Sequence, residues 1–423
     1  MNVIATPQLT PTDALLARLE DTYRDLHAHP ELSMQEHRTA GIVATWLRDC
    51  GCEVTEGIGG TGVVGVLRNG GGATVLLRAD MDALPVTEAT GLPYASAATG
   101  TDRFGLATGI AHACGHDMHT ACLMGVVHVL AENRDAWQGT LLAVFQPGEE
   151  TAQGAQAMLQ DGLVKRFPKP DVTMAQHVVP APAGSIGWSP GTVMSAGDSW
   201  EVTLFGRGAH GSSPQKGVDT VVMASSAVMR LQGVVSREVA PTEMAVVTVG
   251  ALQAGSAENV IPDHALLRLN VRTFNEQVRT RVLAAIRRIL DAEAAASGAP
   301  KPPGYAVLSE FPRTDNDAAC MRRVAAAFEQ RFGQDAVQQI GAATASEDFS
   351  LFGAAWGAPV VYWMVGCLDP ETFAAAVRAE TVDQLPANHA PDFAPVIGPT
   401  LRTGIAAMLT AAGQWLDIEA HPQ

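Results

Sequence analysis

The sequence predicts an α/β protein: a mainly parallel sheet covered on both faces by helices, interrupted by a smaller inserted α+β domain. Three observations predict it. In the first half, apolar strand-like runs alternate with amphipathic helical patterns, as in parallel sheets clothed by helices. Acidic residues and a histidine stand directly after those runs, where open sheets of this class bind ligands. Near Pro190 the pattern changes, and from Ser199 it reads strand, helix, strand, strand, helix.

Residues 36–49 place Ala40, Val43, Ala44 and Leu47 on one helical face, and Gly51 is a natural stop. Strand-like runs follow at 62–67, 73–79, 140–145 and 171–175, with Leu123, Val126, Val127 and Leu130 forming an amphipathic helix among them. Asp80 and Asp82 come after the second run, Glu149 and Glu150 after the third, and His177 after the fourth. The inserted domain is expected to hold a strand from Ser199, a helix over 219–238, strands over 245–251 and 265–273, and a helix over 276–296. The Gly/Pro-rich stretch 297–304 closes this ferredoxin-like unit, and a further buried strand is expected over 359–365. The expected domains are thus 1–192 with 308–423, and 193–307 inserted between them.

With 423 residues the chain has room for two cores, and 47% hydrophobic with 17% charged residues excludes disorder. A formal charge of -16 argues against nucleic acid or an anionic membrane as partner, since both need basic patches. The amino-terminal residues lack a basic segment followed by an apolar stretch, so no secretory leader is expected, and no run is long enough for a membrane span. The six cysteines have no framework spacing; reduced thiols and a cytoplasmic location follow.

The chemistry concentrates in His112-Ala113-Cys114-Gly115-His116-Asp117. Cys114 and His116, two apart, can be aimed at one point from an extended loop, and thiolate with imidazole suits a borderline-soft divalent ion such as zinc. Together with Glu149, Glu150, His177 and His389 they supply enough ligands for two metal ions. Adjacent carboxylates at 149 and 150 have an obvious joint use: one binds metal and the other serves as a base.

Six ordered motifs carry a resemblance: RADMDALP (78–85), HACGHDMH (112–119), QPGEE (146–150), GRGAHGSSP (206–214), NVIP (259–262) and NHAPDF (388–393). With them the chain resembles the N-acyl-amino-acid amidohydrolases, the hippurate hydrolase-like branch (subfamily D) of metallopeptidase family 20, which also includes plant auxin–amino-acid conjugate hydrolases. The resemblance implies a catalytic domain with a dinuclear metal centre and an inserted lid domain that mediates homodimers. It implies Cys114, His116, Glu150, His177 and His389 as metal ligands and Glu149 as general base. Asp82 would orient a ligand. Asp80 stands where other branches carry a histidine ligand, which leaves its part open.

The same resemblance brings His210 to the active site from the lid, and makes it the candidate donor for the developing oxyanion. It matches Asn259 and Arg272 to positions that hold the substrate carboxylate, a task suited to an arginine fork. The implied reaction is metal-assisted hydrolysis of an N-acyl amino acid to a carboxylic acid and a free amino acid. Glu149 takes the water's proton and returns it to the departing amine. Two divalent ions are implied, zinc first, with manganese, cobalt or nickel able to fill such a centre. A dipeptidase or carboxypeptidase of the same clan is the rival enzyme, and a metal-dependent binding protein without turnover the rival from another class. Ser212 and Ser213 lack a visible oriented carboxylate for a nucleophilic triad, Gly70-Gly71-Gly72 reads as a turn, and His27 and His29 are given surface or supporting places. Ser346-Glu347-Asp348 is likewise given a supporting role.

Overall fold

The computed structural model describes residues 9–416, so residues 1–8 of the amino-terminal stretch read above lie outside it. The chain forms two compact units. One comprises the chain up to Val193, Asp315–Gly341 and everything from Asp348; the other comprises Met194–Thr314 and Ala342–Glu347.

The first unit is built on an eight-stranded sheet. Its centre is four parallel strands lying side by side in the order Gly139–Gln146, Thr74–Asp80, Val172–Pro182 and Val360–Leu368. These runs are apolar on both sides because both faces are covered, and Gly139–Gln146 and Val360–Leu368 are buried throughout. The sheet is mixed at its margins. Gly62–Asn69 joins the Gly139 strand antiparallel and forms a hairpin with Glu53–Ile58. On the other side Ile186–Trp188 runs antiparallel to the Val360 strand and carries Val337–Gln339. The helices Asp13–Ala28, His37–Asp49, His116–Glu132, Ala318–Phe332 and Ile397–Ala412 share one hydrophobic core with this sheet.

The second unit is a four-stranded antiparallel sheet with two main helices. Along the chain it reads Ala196–Phe205, helix Thr220–Leu231, Ala245–Ala254, His264–Thr273, helix Glu276–Ala296 and Gly304–Phe311. In space the second of these strands lies outermost, followed by the third, first and fourth, the ferredoxin-like order. Strict alternation in His264–Thr273 turns Ala265, Leu267, Leu269 and Val271 inward, against Met223, Ala227, Val282 and Ile286 of the helices.

Several expectations need adjustment. The helix expected over 219–238 is broken into Thr220–Leu231 and Gly233–Glu238, with the break at Gln232 and a glycine opening the second piece. The boundary expected at 308 falls inside the strand Gly304–Phe311, because the Gly/Pro stretch is a turn between helix and strand and does not end the unit. Glu53–Ile58 escaped notice because all but Ile58 are exposed or half-buried and it carries no apolar alternation. His177 lies within the long strand Val172–Pro182, and Asp80 is the last residue of its strand. Among the described residues, no helix is long and apolar enough to cross a membrane.

Candidate metal centre

The carboxyl ends of the parallel strands deliver the first groups. Asp80 ends one strand, Glu149 and Glu150 follow Gln146 by three and four residues, and His177 projects from a third strand. Cys114 and His116 come from the loop that enters helix His116–Glu132. That entry requires glycine at 115: φ is +82°, and a Cβ there would lie 2.4 Å from Val178 Cγ2. His389 is itself left-handed, with φ +73°. Its N–H donates to Ala113 O at 2.7 Å, while the Asn388 amide donates to Cys114 O at 3.3 Å and Val178 O at 3.2 Å. The late segment carrying His389 is thereby fastened to the cysteine loop and to the His177 strand.

Five overlapping sets have their ligand atoms within 4.8 Å of one another: Cys114, His116 and His177; Cys114, Glu150 and His389; His116, Glu149 and Glu150; Asp80, His116 and His119; and Glu149, Glu347 and Asp348. Hydrogen bonds fix which nitrogens face inward. His116 Nδ1 donates to Asp82 O at 2.9 Å and its Oδ1 at 3.2 Å, leaving the Nε2 lone pair toward Asp80 at 3.7 Å and Glu150 at 3.9 Å. His177 Nδ1 donates to Val178 O at 2.7 Å, leaving Nε2 3.5 Å from Cys114 Sγ. His389 Nε2 lies 3.4 Å from Glu150 Oε1. His116 Nε2 and Glu150 Oε1 are buried with no hydrogen-bond partner among the described residues. Lone pairs and carboxylate oxygens turned on one another at these separations are suited to a cation between them. Ligands of an ion bonded at roughly 2.0–2.3 Å are spaced in this way. The donor set of thiolate, imidazoles and carboxylates therefore fits divalent metal.

The electrostatics agree. Burial alone would depress the His116 imidazole, yet the charges of Asp80 and Cys114 lift it well above its ordinary value. Burial likewise opposes protonation of His389, but its bonds with Cys114 and Glu150 outweigh that and push it up to about 11. Burial, reinforced by His119, keeps His177 well below the usual imidazole range. The cluster attracts positive charge.

Asp82 acts by holding other groups. Its carboxylate accepts from His116 Nδ1, from Ser33 Oγ at 2.7 Å and from the Glu150 N–H at 3.0 Å. Asp80 accepts from Arg78 Nη1 and from His119 Nδ1, both at 2.6 Å. Since His119 Nε2 accepts the Val178 N–H at 2.9 Å, both ring nitrogens of His119 are committed, and it braces the strand beside His177. Arg78, fully buried, also donates to Gln146 and Asp348, and Asp348 caps Gln146 Nε2 and the Ala155 N–H. Despite the penalty of burial, Arg78, His116 and His119 hold Asp80 well below the carboxylate range.

His119 and Arg78 had no assigned role in the sequence. The signal for His119 was present: three residues after His116 on a helix, it shares that face. His27 is buried, not superficial, with Nδ1 2.6 Å from Asp117 and Nε2 3.1 Å from Glu88. His29 is exposed and bonded to its own helix at Asp25 O.

His210, Asn259 and Arg272 belong to the second unit. His210 is exposed on the short strand Ala209–His210, paired with Val260. Its Nδ1 accepts from the Ser212 N–H at 3.1 Å and from Ser212 Oγ at 2.8 Å, so the proton of a neutral ring sits on Nε2. Asn259 O receives the Gly211 N–H at 2.7 Å. Arg272 donates from Nε to Asn270 at 2.9 Å and from Nη1 to Ser346, which in turn donates to Ser195 O at 2.8 Å. Ser346 thus steadies the guanidinium.

Residues 76–388 match peptidase family M20/M25/M40. The chain belongs to this family. Over 261 residues it is 40% identical to N-acetyl-L-cysteine deacetylase of Bacillus subtilis, covering 61% of this chain and 60% of that protein. Over 267 residues it is 40% identical to hippurate hydrolase of Campylobacter jejuni, covering 63% of this chain and 67% of the relative. In structure it resembles the Bacillus subtilis YXEP protein, a dinuclear metal-binding peptidase of the M20 family. The TM-score is 0.72 at 28% identity, over 95% of this chain and 98% of that one. As an M20 member the chain is a metal-dependent enzyme that hydrolyses amide bonds.

Proposed function

We propose that the protein hydrolyses N-acyl amino acids, with Cys114, His116, Glu150, His177 and His389 holding two divalent ions and Glu149 moving the proton. What carries the reading is the convergence of those five residues on one cluster in which Glu149 stands beside His116 and Glu150. The names of the two relatives, a deacetylase of N-acetylcysteine and a hydrolase of hippurate, support an acyl amino acid as substrate. Zinc is the leading metal because a thiolate is among the ligands; manganese, cobalt and nickel remain open to reconstitution.

When bound, such ions polarise the scissile carbonyl and acidify water. Glu149, largely buried between Gly148 and Glu150, takes a proton from the attacking water and delivers it to the departing amine nitrogen. Asp82 orients His116 and the Glu150 amide together. His210 offers its Nε2–H to the oxyanion, a donor role that matches its tautomer. Arg272, with Asn259, anchors the substrate carboxylate.

A homodimer through the second unit is supported by its exposed apolar residues: Val222 at 65% and Met229 at 73% on helix Thr220–Leu231, and Leu252 on the edge strand Ala245–Ala254. The free cysteines suit a reducing cytoplasm.

The test is a panel of acetyl- and benzoyl-amino acids set beside dipeptides, assayed with protein reconstituted with each metal. Faster release of acid from the acyl amino acids is expected. Preference for dipeptides would assign a peptidase, and no turnover on either class would leave a binding protein.

A further inference from the structure

Glu36 lies outside the ligand set, on the residue that precedes helix His37–Asp49, yet it is completely buried. Its Oε1 accepts the Gly148 N–H and the Met34 N–H, each at 2.8 Å, and its Oε2 accepts the Thr61 hydroxyl. Three donors from three separate stretches of chain thus converge on one carboxylate. Gly148 is the residue before Glu149, and it is seated tightly: φ is +54°, and a Cβ would lie 2.5 Å from Met34 Sδ. Its carbonyl accepts from the Gln153 and Gly154 N–H groups at 3.2 and 3.0 Å. On the far side of Glu149, the Glu150 N–H is held by Asp82, and Asp82 is held by Ser33. The short segment from Ser33 to Glu36 therefore reaches both carboxylates that clamp the loop, one on each side of Glu149.

We infer that Glu36 is a positioning residue for catalysis, fixing the peptide before Glu149 so that the Glu149 carboxylate stays in register with the reacting centre. The inference rests on the proposed role of Glu149 as base. Backbone hydrogen bonds on both flanks remove the rotations by which a two-glutamate loop could swing its carboxylate away. Displacements of about 1 Å in such a group cost up to about 100-fold in rate. Only acceptor capacity is required of residue 36. A glutamine can still take both N–H groups on its oxygen while its amide donates to Thr61, whose hydroxyl turns to accept.

The test compares E36A, E36D and E36Q with E149Q in the metal-loaded full chain, recording metal content, kcat, KM and thermal midpoint. Expected are two metal ions per chain throughout, kcat reduced about 10- to 100-fold in E36A with KM within about twofold, and near-complete rescue in E36Q. E36D, whose oxygen is withdrawn by one methylene, should resemble E36A and serves in its place if the alanine variant does not fold. The inference is overturned if kcat per metal-loaded molecule is unchanged in E36A or E36D, or if the loss lies in metal content alone. A fully active E149Q would instead remove the base on which it rests, whatever the Glu36 variants do.

Discussion

The two units bury very different things. The inserted unit packs aliphatic strands against aliphatic helices, with Leu267, Val271, Val282 and Ile286 at its centre. The unit on the parallel sheet hides Arg78, Asp80, Asp82, His116, Asp117, His119 and Asp348, each at most 1% exposed. Burying so many charges is costly unless every one is paired, and the chain meets that demand with a continuous web from Arg78 through Asp80 to His119. Each kind of substitution is therefore felt in a different place. In the aliphatic core of the inserted unit a mutation acts through volume, whereas at the buried charges of the other unit it leaves a charge without a counterpart.

The sharpest break of that contrast should come from E149Q, which conserves shape and alters only proton chemistry. A loss of about 10²–10⁴ in kcat is expected with metal content and thermal midpoint unchanged. H210A, an exposed change in the aliphatic unit, should lower kcat by about 10²–10³, again without loss of metal; equal loss of metal would place it among the ligands.

Stability should divide the units next. R78M leaves Asp80 and Asp348 buried beside an apolar side chain, and denaturant unfolding should show a loss of about 3–5 kcal/mol together with weakened metal retention. L267A should cost about 2–4 kcal/mol by opening a cavity, while metal content stays normal. Equal metal loss in both variants would erase the distinction.

The smallest effect is a pH dependence. Burial works against a charged His27, but Asp117 and Glu88 outweigh it and raise the imidazole to about 10. A raised value means the stabilisation is full below the unfolded value near 6.5 and disappears as pH climbs through about 10. The thermal midpoint of the wild-type chain should therefore fall between neutral and alkaline pH, and H27Q should lower the neutral value and flatten the slope.

Much of this was legible from residues alone. The runs read at 73–79 and 140–145 announced themselves as strands by their largely apolar content, and the helix Glu276–Ala296 was likewise read from the sequence. The cysteine loop and the paired glutamates carried their chemistry openly. Glu36 was hidden because a carboxylate before a helix reads as an ordinary boundary residue; its partners at Thr61 and Gly148 lie far along the chain. Gly304–Phe311 was hidden because its stretch of exposed and half-buried residues follows a proline-rich turn. Tertiary partners decided both cases.

His389 has a consequence for how the protein is made. It is supplied by a segment synthesised after the whole inserted unit, and Asn388 and His389 then latch onto the loop at 113–114. A growing chain on the ribosome therefore lacks this proposed ligand until residue 389 has been made. A truncation just upstream of that latch removes His389 from the proposed ligands, while Cys114, His116 and His177 are still made.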